Sequence, residues 1–171
     1  NRKHKVKDYF NVYNKIKKLN PDVEFSSDFI IGYPGETEND FDETIKLMRK
    51  VEFINSFSFI FSARPGTPSA KMQKIDEDIS KKRLIIFQKV AEEIKMKYRK
   101  NLIGKKSFVL FENKVPNKNQ FFGRDEFSNS VIVKSEKDLK GKIKEVYIID
   151  VNQNTLFGEY NTKINEKEFA A

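Results

Sequence analysis

The chain has 171 residues, 38% apolar and 34% charged, with 33 Lys and Arg against 25 Asp and Glu and a net charge of +8. That length leaves room for one medium domain or two small ones. The absence of cysteine excludes disulfides and cysteine-held zinc or iron–sulfur sites within these residues. No apolar run of about 18 residues exists, the length a spanning helix needs, so no membrane partner is expected. The basic balance suits a polyanion such as RNA, although a Lys- and Asn-rich composition produces the same balance without one. The opening Asn1-Arg2-Lys3-His4-Lys5 lacks an initiator Met and any apolar signal core, so the chain is expected to be a segment of a longer protein.

In residues 7–19 the apolar positions Phe10, Tyr13, Ile16 and Leu19 follow a helical spacing, and Asn20-Pro21-Asp22 ends it. Residues 23–31 read as a strand closing on Phe29-Ile30-Ile31. After the turn at residues 32–36, Thr37 and Asp40 resemble a capping box. A helix follows with Phe41, Ile45 and Met48 on its apolar face, ending near Val51 or Glu52. Residues 55–62 alternate polar and aromatic, a strand signature. Residues 63–70 form a second Pro/Gly loop, and the acidic residues 76–78 open a long helix with Leu84, Phe87, Val90, Ile94 and Tyr98 on its face. This rhythm is that of parallel α/β units. Past Leu102-Ile103-Gly104 it changes to five short strands, at 107–112, 121–124, 130–133, 142–151 and 154–160, which predict a small OB-like barrel. The expected division is therefore 1–103, 104–162 and a polar tail at 163–171.

Both Pro/Gly loops directly follow strands, and in parallel α/β folds the active site lies at the C-terminal ends of strands. Gly32 and Gly35 permit close backbone approach to a ligand, Pro34 stiffens the turn, and Glu36 sits near a helix N-terminus that favours its charge. In the second loop Arg64 offers a forked donor for carboxylate or phosphate. Taken singly, each loop also reads as an ordinary turn.

The stretch Ser27-Asp28-Phe29-Ile30-Ile31-Gly32-Tyr33-Pro34-Gly35-Glu36-Thr37, followed by Asp40-Phe41, resembles one block of the radical-SAM methylthiotransferases. Ser58-Phe59-Ile60-Phe61-Ser62-Ala63-Arg64-Pro65-Gly66-Thr67-Pro68-Ser69-Ala70 resembles the next, with Phe61 for the usual Tyr and Ser69 for the usual Ala. The following Lys82-Arg83-Leu84 also matches. The opening Asn1 to His4 is similar to the branch that acts on N6-isopentenyladenosine in tRNA. Glu112, Gly123-Arg124, Val131 and Leu156-Phe157-Gly158 fall where the family's RNA-binding TRAM barrel has like residues.

The resemblance implies an α/β fold: the C-terminal part of a radical-SAM (β/α) partial TIM barrel, followed by an all-β TRAM barrel. It implies S-adenosylmethionine (SAM) as cofactor and two [4Fe–4S] clusters whose cysteines lie upstream, so no catalytic or metal-binding residue is expected here. Ile30, Ile31, Gly32, Tyr33, Pro34, Gly35, Glu36, Ser62 and Arg64 are expected on the SAM side. Arg2, Lys3 and His4 at the same mouth, with Lys106, Phe121 and Arg124 on the barrel, are expected to meet RNA; Phe122 and Phe127 are further stacking candidates.

The implied activity is methylthiolation of carbon 2 of N6-isopentenyladenosine beside the anticodon, in a cytoplasmic, monomeric enzyme served by a reductant protein. Threonylcarbamoyl-adenosine in tRNA or a ribosomal-protein aspartate are alternative substrates, and a non-catalytic RNA-binding role is the alternative of another class. A parallel sheet with an open edge invites edge-to-edge pairing. Produced alone, the chain is therefore predicted to self-associate in sedimentation; a monodisperse, cooperatively unfolding sample would contradict this.

Overall fold

A two-stranded parallel sheet lies against three helices, and a separate closed barrel follows. The structure, a computed structural model, describes residues 5–160. Its helices are α1 (Val6–Leu19), α2 (Glu38–Val51) and α3 (Glu77–Lys100), with a short 3-10 turn at Pro68–Lys71. The strands β1 (Ser26–Ile31) and β2 (Asn55–Ile60) pair in parallel, with Ile30 opposite Phe59 and Ile31 opposite Ile60. The strands β3 (Lys106–Lys114), β4 (Gln120–Asp125), β5 (Ser130–Lys134), β6 (Ile143–Val151) and β7 (Leu156–Glu159) close in the order β3-β4-β5-β7-β6. None of the described helices is long and apolar enough to cross a membrane.

The helix boundaries follow from local chemistry. The backbone N–H of Asp40 donates to the Thr37 hydroxyl at 3.2 Å, and the Thr37 N–H donates to Asp40 Oδ2 at 2.9 Å. This is the reciprocal box that the sequence announces. The same two Thr37 groups, side chain first, hold the Asp40 carboxyl below the usual carboxylate range. At α3, Asp76 Oδ1 accepts from the N–H groups of Asp78 and Ile79 at 2.9 and 3.1 Å.

Two cores form. In the first, Ile31 meets Phe41, Met48 and Val51 of α2 and Phe87, Val90 and Ile94 of α3, while Tyr9, Phe10 and Tyr13 of α1 pack at its margin. Phe29 links the two sides, its ring 4.8 Å from Phe87 and 5.4 Å from Phe53. The opposite sheet face carries Ile30, Phe57 and Phe59, all exposed. The second core fills the barrel with Val109, Phe111, Phe121, Val131, Val133, Val146, Ile148 and Leu156.

Some strand limits differ from expectation. β1 starts at Ser26 rather than residue 23, because its ladder partner begins only at Asn55. β7 starts at Leu156 rather than 154, because Asn152 Oδ1 accepts from the Asn154 and Thr155 N–H groups and holds those residues in an Asx turn. The expected tail at 163–171 lies outside the described residues.

Two barrel glycines are fixed by contact. A Cβ on Gly123 would stand 2.3 Å from the backbone oxygen of Leu110, and one on Gly158 would stand 2.2 Å from Val146 Cγ1. Gly123→Ala is predicted to lower barrel stability by about 2 kcal/mol, as overpacking against backbone does. Urea unfolding should show the midpoint fall at unchanged slope.

Candidate functional site

The loop after β1 is tied into a closed unit. Gly32 and Gly35 both occupy the left-handed region, at φ +73° and +88°, which a side chain would strain. Pro34 is buried between them. The Glu36 N–H donates to Tyr33 O at 2.9 Å, closing the turn. The Glu36 carboxylate then folds back, and its Oε2 accepts from the Gly32 N–H at 3.0 Å and from Arg83 Nη1 at 2.8 Å. Arg83 Nη1 also donates to Glu36 O at 3.0 Å, and Nη2 donates to Glu38 Oε2 at 2.9 Å. The side chains of Arg83 and Glu36 are only 8% and 10% exposed. Burial works against the arginine's charge, but the bonds to Glu38 and Glu36 outweigh it and leave the guanidinium pKa above its ordinary value. Beneath the loop, Ser80 Oγ would lie 2.4 Å from any Cβ on Gly32.

The loop after β2 lies alongside. The Phe61 N–H donates to Ile31 O at 2.8 Å, carrying the parallel ladder beyond the strand end. Tyr33 and Phe61 meet edge to face with centroids 5.1 Å apart. Arg64 O accepts the Thr67 hydroxyl at 2.8 Å, and the hydroxyls of Thr67 and Ser69 are 3.1 Å apart. Between the loop after β2 and the open sheet face is a cavity of ≈ 340 Å³ lined by Ile30, Phe59, Ile60, Phe61, Ser62, Arg64, Thr67 and Ser69. It combines an apolar floor, hydroxyls at one side and a guanidinium at the rim.

This chain is 47% identical over 167 residues to a tRNA-2-methylthio-N(6)-dimethylallyladenosine synthase from Pelagibacter ubique, covering 98% of this chain and 37% of that protein. It is 40% identical over 161 residues to the synthase of that name from Wolbachia pipientis of Culex pipiens, covering 92% and 37%. For the Zymomonas mobilis synthase the identity is 36% over 171 residues, covering 99% and 38%. Relatives 36–47% identical over nearly the whole of this chain thus share that one name. It spans little more than a third of the length of these curated relatives, 37% of the first. No family model matches the chain.

Within this chain the expected site residues divide. Ile30, Ser62 and Arg64 share the cavity, and Tyr33 stands at its edge against Phe61. Ile31 is fully buried among the helices, so its side chain serves packing and not a ligand. Glu36 turns inward to Arg83 and Gly32 instead of facing the cavity. Arg2, Lys3 and His4 lie outside the described residues. Arg83 is the residue whose role sequence reasoning missed: it registers there only as part of a matching tripeptide. Its partners lie 45 and 47 residues away, beyond any local pattern.

On the barrel, Lys106 and Arg124 are both surface cations, each already paired. Lys106 Nζ is 2.7 Å from Glu145 Oε1 and 5.2 Å from the Tyr147 ring centroid. The hydrogen bond to Glu145 is the main cause of its raised pKa. Arg124 Nε is 3.2 Å from Glu112 Oε1, and its guanidinium lies 6.0 Å from the Phe122 ring centroid. Phe121, expected at the RNA face, is 3% exposed and belongs to the barrel core. Alternation along β4 sends Phe121 inward and Phe122 outward, and two successive phenylalanines conceal that choice in the sequence. The exposed side chains of β3 and β6, Phe108, Leu110, Ile143, Tyr147 and Ile149, form an apolar outer wall beside Lys106. Phe127 is half-buried.

Removing Arg83 would leave the Glu36 carboxylate buried without its cation. Arg83→Ala is predicted to cost about 3 kcal/mol, the low end for breaking a buried pair. It should also speed amide exchange at Gly32 and Glu36. An unchanged melting temperature would contradict the clamp.

Proposed function

We propose that this chain is the C-terminal part of a tRNA methylthiotransferase acting on carbon 2 of N6-dimethylallyladenosine beside the anticodon. The reading is carried by the 36–47% identity over 92–99% of the chain to synthases of that name. The strand-end cavity adds independent support, because its chemistry suits an amino-acid-bearing nucleoside. In this proposal β1, β2 and their helices form one wall of a radical-SAM partial barrel. The closed five-stranded barrel after Gly104 is its TRAM unit, and the two separate cores favour a division near Leu102-Ile103-Gly104.

SAM fits the residues present. Arg64 is exposed and, among the described residues, forms no ion pair, so its fork is available for a carboxylate. Ser62 adds a hydroxyl, and Ile30 and Phe59 offer apolar surface for a flat base. SAM supplies the methyl group and, on reductive cleavage, the radical; the protein's share is binding, orientation and exclusion of water. Iron–sulfur clusters do not fit these residues: the chain has no cysteine, and no group of three candidate ligands occurs among the described residues. In the proposal the cluster ligands belong to other parts of the enzyme, which is cytoplasmic and draws electrons from a reductant protein.

For RNA, the outer wall of β3 and β6 provides aromatic and apolar surface for bases, flanked by Lys106 and Arg124 for phosphate. Both cations sit in solvent-exposed pairs, which contribute little to stability. A phosphate can therefore replace the carboxylate at little cost.

Arg64→Ala in the full-length enzyme is predicted to lower methylthiolation by roughly tenfold or more, as loss of one charge-assisted bond to a ligand would. The melting temperature should not change. Mass spectrometry of tRNA nucleosides reads both this and the substrate: a deletion strain should lack the 2-methylthio derivative of N6-isopentenyladenosine. Wild-type yield from the variant would refute the role of Arg64, and loss of a different nucleoside would refute the substrate.

A further inference from the structure

Helix α3 is continuous over 24 residues, about 36 Å at 1.5 Å per residue. Near its first turn Arg83 holds the loop after β1. At its last turn Arg99 holds the barrel: its Nη1 donates to Asn152 O at 3.0 Å and to Gln153 O, both in the connection between β6 and β7. Arg99 is 4% exposed, and its Nε has no partner. Among the described residues no carboxylate forms an ion pair with it, and burial lowers its pKa although the charges of Glu92 and Asp125 act in the other direction. A buried guanidinium whose hydrogen bonds go to carbonyls is a poor choice for stability, since apolar packing of like volume would serve as well. What it supplies is direction, because the donor directions of the one planar Nη1 that meets both carbonyls are fixed by the guanidinium plane.

The stretch leaving α3 is bonded throughout. The Leu102 and Ile103 N–H groups donate to Arg99 O and Lys100 O, at 3.0 and 3.2 Å. Gly104, at φ +80°, turns the chain. Its N–H then donates to Ile148 O at 2.8 Å, and the Ile148 N–H returns a bond to Lys105 O at 3.0 Å. Leu102 packs on the barrel core. No free linker separates helix and barrel.

We propose that Arg99 is a positioning residue: it fixes the angle at which the barrel leaves α3, and with it the distance from the RNA wall to the strand-end cavity. The role rests on the tRNA reading above. One helix thus carries a clamp at each end, one on the loop after β1, whose Tyr33 packs on Phe61 of the cavity lining, and one on the barrel, so that RNA held by the barrel is presented to the cavity in one register. Geometry of this kind acts on turnover more than on affinity.

Arg99→Ala and Arg99→Lys in the full-length enzyme test this by amide exchange, tRNA affinity and product formed per bound tRNA. For Arg99→Ala, exchange at Gly104 and Ile148 should rise roughly tenfold while Val131 and Val133 in the barrel stay protected. The Kd for tRNA should change by no more than about twofold, and kcat should fall by roughly tenfold. Arg99→Lys, which keeps a donor but lacks the fixed plane of the guanidinium, should fall between. Unchanged exchange at the junction, or unchanged kcat with a loosened junction, overturns the proposal. So does loss of core protection together with tRNA affinity, which would make Arg99 a barrel-stability residue only. A wild-type enzyme inert on tRNA would count against the functional reading; the exchange measurement would still decide the junction.

Discussion

The Glu36 carboxylate, held between the Gly32 N–H and the Arg83 guanidinium, determines where the first loop stands. A five-residue turn containing two glycines has many conformations and little reason to choose one. Here the choice is imposed from outside, by a cation that α3 delivers from 47 residues away. The arrangement is self-consistent in both directions. Ser80 and Arg83 lie one turn apart on α3, so the helix face that supplies the cation also fills the space below Gly32. Tyr33 is thereby set against Phe61, which lines the cavity over the open sheet face.

Much of this was legible in the sequence. Thr37 with Asp40 and the acidic start of α3 announce helix ends through short-range hydrogen bonds, which local order can display. Five barrel strands were readable from turn residues and alternation. What escaped has a different physical character. The function of Arg83 depends on a contact between distant segments. Ile30 against Ile31, and Phe121 against Phe122, pose a choice of face that two adjacent apolar residues cannot express, because a period of two needs contrast to be seen. Ile31 and Phe121, which the sequence alone suggests for ligand contact, both sustain cores.

The barrel and the parallel pair handle apolar surface differently. Barrel closure leaves no strand edge unpaired, yet Phe108, Leu110, Ile143, Tyr147 and Ile149 remain outside. The parallel pair buries the face bearing Phe29 and Ile31 and presents Ile30, Phe57 and Phe59 on the other. Parallel sheets are ordinarily covered on both sides. Contiguous exposed apolar surface of this kind is a feature of interaction and ligand-binding faces.

The way the barrel closes has a consequence for synthesis. Its last strand, Leu156–Glu159, is inserted between β5 and β6, pairing in parallel with one and antiparallel with the other. Until those four residues have emerged, the two flanking strands have no neighbour on that side and Gly158 cannot seat against Val146. The parallel pair and its packing on α2 and α3 lie within the first hundred residues and are available for folding much earlier. A nascent chain therefore carries this packed pair ahead of an open sheet. Ribosomal pausing within the last strand would hold it in its most vulnerable form.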